Sequence, residues 1–418
     1  MDLLGRHAGF VGRQRRPGSH SSVDHPAPGG RPAHAASVAI VMMLDPMYRG
    51  PEPGIHSFRS EARLSQIDQL FTEGDALYEA MLASIDSANT VVRMESYIFA
   101  SDEVGWRFAQ ALVKSAAAGV DVRVHLDAAG AWGSTSSSLQ RYLRDHGVQL
   151  RWFHRWSWRE PLRYNRRSHR KLLVVDDRVA YIGGFNIHRE SSRQCYGESR
   201  WRDTHAEVSG ALAADAAYLF DAFWRGHRCW TPVERDVREL QLVSNHSRAC
   251  RHRIRCLYAE AFQSANERIY LTTPYFVPDL STLHHLMACA RRGVDVRLLV
   301  PAKSDVPITR WAAHALYASL MSAGVRIYEY LPRMLHAKTV VVDRHWATLG
   351  SANFDYRSFF LNYELLLATT APDDCERLHR QFCEDISASR LIHGDRWSGR
   401  SWTNLPLEAI GRALRRWL

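Results

Sequence analysis

The chain has 418 residues, 46% apolar and 23% charged, with a formal net charge of +10. This is the composition of a soluble globular protein large enough for two domains, and its basic balance suits polyanions, either nucleic acid or anionic lipid. No run reaches the ~18 apolar residues of a spanning helix, residues 37–44 being too short, so the sequence excludes an integral membrane protein but not a peripheral one.

Residues 1–55 are rich in Gly, Pro, Ser, His and Arg without a hydrophobic period, which predicts a disordered extension. Structure is expected from about Leu64. An amphipathic helix is predicted over residues 75–85, a strand over 90–99, a helix over 105–118 and a strand over 120–126. A helix over 137–145 and a strand over 148–153 follow. Alternating strands and helices imply a sheet covered on both faces.

The second half repeats this order. Ala265-Asn266 leading to Tyr275 answers Ala88-Asn89 leading to Tyr97, Gly293-Val-Asp-Val-Arg297 answers Gly119-Val-Asp-Val-Arg123, and Gly324 answers Gly147. The offset between copies is 174 to 178 residues at these points, so the chain is a tandem duplication of one domain and not a solenoid. The units assigned are an extension over 1–55, domain 1 over 61–235, domain 2 over 236–395 and a basic amphipathic tail over 396–418.

Domain 1 holds about ten extra residues before its most distinctive stretch. That insertion is rich in Arg and Trp: residues 151–171 carry eight Arg/Lys against one Glu, and residues 396–418 carry five Arg against one Glu, which accounts for the whole charge surplus. In the tail, Leu407, Ile410, Leu414 and Trp417 share one helical stripe. The helix is expected either to pack on domain 2 or to dip its apolar face into anionic lipid. The seven cysteines are odd in number, include no Cys-x-x-Cys and match no zinc spacing, which predicts reduced thiols in a cytoplasmic protein.

The stretch after the insertion is Ser168-His169-Arg170-Lys171-Leu-Leu-Val-Val-Asp176, running through a turn at Asp176-Asp177-Arg178 to Gly183-Gly184-Phe185-Asn186. It returns as Leu335-His336-Ala337-Lys338-Thr-Val-Val-Val-Asp343, running on to Gly350-Ser351-Ala352-Asn353 with every spacing preserved. On a strand, residues two apart share a face, so each His stands beside a Lys. A phosphodiester needs a nucleophile, an acid for the departing alkoxide and cations for its oxygens, and two His, two Lys and two Asn supply these without a metal.

The duplicated His-x-Lys-x4-Asp-x6-Gly-(Gly/Ser)-x-Asn motif resembles the phospholipase D superfamily. The flanks Asn353-Phe-Asp-Tyr-Arg357-Ser358 and Asn362-Tyr-Glu364 are similar to those of bacterial cardiolipin synthases, in particular a branch without N-terminal transmembrane helices. The resemblance covers about residues 61–395. It implies an α/β fold of two tandem phospholipase D-like αβα sandwich domains related by a pseudo-twofold, sharing one active site. It also implies His169 as nucleophile and His336 as acid, Lys171, Lys338, Asn186 and Asn353 on the phosphate, and Asp203 and Glu364 as acids orienting the histidines. Glu364 is expected to serve His336 and Asp203 to serve His169. Asp176 and Asp343 complete the catalytic motif in name; at the far end of the first strand of each hairpin they read as structural. His205, His284, His285 and His345 lack such support and read as surface or structural.

The implied activity is transfer of a phosphatidyl group from phosphatidylglycerol, or phosphatidylethanolamine, to a phosphatidylglycerol hydroxyl through a phosphohistidine. No cofactor or metal is implied. The implied partner is an anionic phospholipid membrane surface, on the cytoplasmic face of a bacterial cell membrane. Interleaved Trp and Arg in residues 151–167 suit that interface. The same mixture can stack bases of single-stranded nucleic acid, the less favoured partner. The alternative activities are a hydrolytic phospholipase D and a nucleic-acid phosphodiesterase. The oligomeric state stays open.

Overall fold

A computed structural model describes residues 66–159, 164–228, 239–245, 250, 252–398 and 405–414; the side chains of 396, 398, 405 and 412 are also outside the description. The expected extension, the expected domain boundary at 235/236, and Trp402 and Trp417 of the tail lie outside the described residues.

The first half runs β1 (Ile67–Phe71), α1 (Gly74–Asp86), β2 (Val91–Ser96), α2 (Glu103–Ala117), β3 (Asp121–Asp127), α3 (Ser137–Asp145), β4 (Gln149–Phe153), β5 (Leu172–Val175), β6 (Val179–Gly183), α4 (Arg193–Tyr196), β7 (His205–Ser209) and α5 (Ala211–Trp224). The second runs β8 (Leu240–Ser244), α6 (Arg253–Ser264), β9 (Arg268–Thr272), β10 (Phe276–Val277), α7 (Leu280–Arg291), β11 (Asp295–Pro301), α8 (Pro307–Ser322), β12 (Arg326–Tyr330), β13 (Thr339–Val342), β14 (Trp346–Gly350), β15 (Phe354–Asp355), α9 (Tyr356–Phe360), β16 (Leu365–Thr369), α10 (Pro372–Ser387), β17 (Ser389–Leu391), α11 (Gly394–Ser398) and α12 (Leu405–Leu414). The two large sheets have orders β1-β7-β6-β5-β2-β3-β4 and β8-β16-β14-β13-β9-β11-β12-β17. Position for position they are the same sheet, with β17 added at one edge.

Local chemistry explains the matching element ends. Asp102, Ser136 and Asp279 cap α2, α3 and α7 by accepting backbone N–H bonds. Gly119, Gly147, Gly293 and Gly324 follow the helices with φ of +89°, +87°, +95° and +97°, the left-handed geometry that ends a helix and turns the chain into the next strand. Strands β5 and β13 are apolar on both faces because both faces are covered. Their outer faces meet separate cores under α1–α3 and α6–α8. Their inner faces join one shared core in which Leu172, Val174 and Ile182 pack with Val341, Leu349 and Leu365, together with α5 and α10. The sequence expectation of two α/β sandwiches about a pseudo-twofold is the architecture observed.

The tail helix α12 packs on α8, though not by the expected stripe. Glu408 is buried while Ile410 and Leu414 are exposed. The reason is a close backbone approach: a Cβ at Gly411 would sit 2.6 Å from the Ala312 nitrogen, so the face that carries Gly411 is the one that docks.

Candidate active site

Both catalytic-motif segments are tied across the two halves by backbone pairing. The His169 N–H donates to the Tyr363 carbonyl (2.9 Å) and the Tyr363 N–H to the Arg167 carbonyl (2.8 Å). The twofold copy is the His336 N–H to the Arg202 carbonyl (2.7 Å) and the Arg202 N–H to the Met334 carbonyl (2.8 Å). These parallel bridges place Glu364, next after Tyr363, beside His169, and Asp203, next after Arg202, beside His336. Arg202 is further locked by its guanidinium on Asp385 of α10 (2.7 Å).

The acids therefore cross over. His169 Nδ1 lies 3.0 Å from Glu364 Oε2, and His336 Nδ1 lies 2.5 Å from Asp203 Oδ2. The expectation that Glu364 serves His336 and Asp203 serves His169 is overturned, because each acid ends a segment whose backbone pairs with the opposite half. All four groups are buried. A carboxylate only accepts, so each Nδ1 carries the proton and Nε2 is left as the basic nitrogen.

Each lysine lies beside the histidine of its own motif. Lys171 Nζ donates to the His169 carbonyl (2.7 Å) and stands 5.4 Å from the Tyr97 ring centre. Lys338 Nζ lies 2.7 Å from His336 Nδ1 and 3.5 Å from Asp203 Oδ2. Burial, then the charge of Lys338, pushes Lys171 well below the ordinary lysine range. Burial likewise lowers Lys338. Burial also lowers His169, with Glu364 opposing and both lysines adding to the fall. His336 is brought down to about 4 by burial and then Lys338. Burial alone would raise Glu364 and Asp203, yet the cations beside them win: Glu364 is lowered, and Asp203 lies at about 2. Charges from both halves thus act on one another within one buried site.

Asn186 and Asn353 each lie three residues past the end of the second hairpin strand, β6 or β14, and both are buried. Asn186 Oδ1 accepts from the Ile98 N–H (3.2 Å), and the Tyr78 hydroxyl donates to the Asn186 carbonyl (2.6 Å). Asn353 Oδ1 is buried without a hydrogen-bond partner among the described residues. Asp176 and Asp343, grouped by name with the catalytic motif, are elsewhere. Asp176 accepts backbone N–H bonds from Asn89, Thr90 and Val91 at 2.8–2.9 Å, and Asp343 from Asn266, Glu267 and Arg268 at 2.8–3.0 Å. They fasten the hairpin turn to the start of β2 or β9.

Comparison with known proteins follows the same lines. The model of the family described as "Cardiolipin synthase, PLD-like domain" matches residues 81–224 and 258–386. The chain belongs to that family. It is 33% identical to the cardiolipin synthase of Geobacillus kaustophilus over 82% of this chain and 71% of that one. It is 34% identical to cardiolipin synthase A of Pseudomonas fluorescens over 78% and 69%. The crystal structure of phosphatidylserine synthase from Haemophilus influenzae superposes with a TM-score of 0.67 over 84% of this chain and 95% of that one; at 14% identity the likeness is of fold. This cardiolipin synthase-family chain is accordingly a phosphatidyltransferase of the phospholipase D superfamily.

Several residues of the site escaped the sequence reading. Glu364 is held by Ser351 Oγ (2.5 Å), Ser358 Oγ (2.9 Å) and Asn362 Nδ2 (3.3 Å). All three stand within the motif and flank that mark the family, so their spacing was the available signal. Where domain 2 has Ser351, domain 1 has Gly184, whose added Cβ would fall 2.0 Å from Asp203 Oδ1. The shorter acid needs the room, and the longer one gains a donor. Tyr97 packs edge-on to His169 (4.9 Å) and Tyr275 to His336 (6.4 Å); their matching places in the duplication were the signal. His205, read as surface or structural, is fully buried and wedged against Gly183, whereas His284 and His345 are exposed. Among the described residues no helix is long and apolar enough to cross a membrane, and no group of three or more His, Cys, Asp or Glu could hold a metal ion.

Proposed function

We propose that this chain makes cardiolipin by transferring the phosphatidyl group of phosphatidylglycerol through His169. Nε2 of His169 attacks phosphorus, the bond to the glycerol oxygen breaks, and that oxygen takes a proton from Nε2 of His336, which enters the step as the imidazolium favoured by the negative charge of the bound phosphodiester. Lys171, Lys338, Asn186 and Asn353 hold the equatorial oxygens as charge builds on them. The hydroxyl of a second phosphatidylglycerol then gives its proton to His336 and attacks phosphorus, and the P–N bond breaks. Phosphatidylethanolamine is the alternative donor, with ethanolamine leaving. The observation that carries this reading is the pair of buried histidines, each bonded through Nδ1 to a carboxylate, with both lysines among them. A neutral imidazole is the nucleophilic form, and burial with two lysines nearby keeps His169 neutral.

The enzyme would work from the cytoplasmic face of the bacterial membrane, held to anionic lipid by its Arg/Trp segment. The test is lipid analysis of a cardiolipin-deficient bacterium expressing the chain or its His169→Ala variant. Cardiolipin should appear with the first and not the second. Phosphatidic acid in its place would make the enzyme a hydrolase.

A further inference from the structure

Domain 1 carries an open groove of about 550 Å³ at the C-terminal ends of β3 and β4, lined by Ala131, Trp132, Gln140, Trp152, Trp156 and Tyr164 among others. Trp132 and Trp156 are 85% and 65% exposed, large apolar rings left in water. The groove is built and not incidental. The buried Asp127 carboxylate ties the loop after β3, which carries Ala131 and Trp132, to the segment that leads into His169, accepting the N–H of Ala129 (2.8 Å), Gly130 (3.2 Å) and Ser168 (2.8 Å). Trp156 stands edge-on to Tyr164, with ring centres 5.4 Å apart.

The loop that forms one wall of the groove also meets the ring packed on His169. A Cβ at Gly130 would lie 2.7 Å from the Tyr97 ring, and that same ring meets the His169 imidazole at 4.9 Å. Cations ride on the aromatic walls: the guanidinium of Arg155 is 5.3 Å from the centre of Trp152, and that of Arg167 is 4.3 Å from Tyr164. The insertion that supplies Trp156 and Tyr164 has no counterpart in domain 2. Between β12 and Leu335 run only residues 331–334, whereas the Arg/Trp insertion separates β4 from His169. A wall present in domain 1 alone makes the two sides of the twofold site unlike.

We infer that this groove takes an acyl chain of the lipid whose phosphate is transferred to His169. The inference rests on the phosphatidyl-transfer reading above. An apolar trough with guanidinium groups along its walls, on a loop that lies one ring away from the nucleophile, matches a ligand with an anionic head and an apolar tail. Stacked bases of a single strand are the competing occupant of such a surface.

Two measurements on the full chain test it. With monomeric phosphatidylglycerols below their micellar concentrations, kcat/KM should rise about two- to fourfold per methylene from dihexanoyl to dioctanoyl, as each CH₂ leaves water. In Trp132→Ser/Trp156→Ser that ratio should fall close to one, with the melting temperature read alongside to confirm folding. Separately, phosphatidylglycerol bearing a diazirine on its acyl chain, presented in vesicles, should label residues 128–135 and 152–159. Label confined to other elements, or a chain-length ratio identical in the double variant, overturns the groove while leaving transfer intact. Label in the groove from a chain that transfers nothing overturns the transfer reading and leaves the groove. Displacement of the label by single-stranded DNA, with no chain-length dependence, overturns both.

Discussion

Glu364 belongs to domain 2 and bonds the imidazole of His169 in domain 1, 195 residues earlier, at 3.0 Å. Asp203 of domain 1 returns the arrangement by bonding His336, 133 residues later, at 2.5 Å. Neither half owns a complete histidine–acid pair. The duplication is thus coupled chemically as well as by its shared core, since a half on its own leaves its histidine without an orienting acid.

The crossover makes a prediction that a same-half pairing would reverse. With a donor bearing a good leaving group, Glu364→Gln should behave like a nucleophile variant and accumulate no phosphatidyl-enzyme. Asp203→Asn should behave like an acid variant, trapping the covalent intermediate while turnover stalls. Loss of an orienting acid costs kcat on the order of 10⁴-fold in a comparable triad. Acid-quench trapping with labelled lipid reads the difference, and label held by Glu364→Gln but not by Asp203→Asn would reverse the roles of the two histidines.

Gly184→Ala should lower kcat by on the order of 10²-fold, because its Cβ would fall 2.0 Å from Asp203 Oδ1 and push that carboxylate off His336. Ser351→Ala, at the matching place in domain 2, removes a donor to Glu364 instead of adding a clash. Its cost should be about tenfold, within the range of one hydrogen bond to a charged group. Steady-state kinetics of both variants on a soluble short-chain substrate would expose the asymmetry, and equal losses would count against it.

Stability should fall as the solution is acidified. Burial brings His205 down to about 3, and His336 down to about 4. Against an unfolded value of ~6.5, the unfolded chain then binds protons that the folded chain refuses. Stability is therefore complete above pH ~6.5 and is lost through the window down to the folded values, at about 1.4 kcal/mol per pH unit for each such group. His205→Leu should make the slope shallower by about that amount between pH ~6 and ~4. Urea denaturation at a series of pH values checks this, and an unaltered slope would show that His205 is not buried neutral.

Binding to vesicles containing phosphatidylglycerol should weaken in Trp158→Ala and Arg159→Ala, through different components. Trp158 is 77% exposed, and the Arg159 guanidinium lies 5.1 Å from its ring centre. The Arg contribution, about 1 kcal/mol, is screened by salt, whereas the apolar contribution of Trp158 persists. Vesicle flotation at low and high salt should therefore show the arginine variant defective mainly at low salt and the tryptophan variant at both. Equal binding by all three proteins would remove this segment from the membrane contact.

Much of this was legible in the chain itself. Two copies of one motif, with Gly119 and Gly293 each followed by Val-Asp-Val-Arg, determine a duplicated α/β domain, because the strand and helix periods and the left-handed glycine at a helix end are local properties. His169, Lys171, His336 and Lys338 were recognisable because spacing along a strand dictates which side chains share a face. What a local pattern cannot carry is which partner lies across an interface. Glu364 and Asp203 were visible as acids, but their assignment to histidines depends on Tyr363 pairing with Ser168 and Arg202 with Leu335. Those bridges exist because the inner faces of β5, β6, β13 and β14 are apolar and must be buried against each other. The tail shows the same limit. Its apolar stripe is plain in the sequence, yet α12 docks by Gly411, because close approach of two backbones at Ala312 outweighed burial of Ile410 and Leu414. Periodicity reports what a segment could bury; only the packed neighbours decide what it does bury.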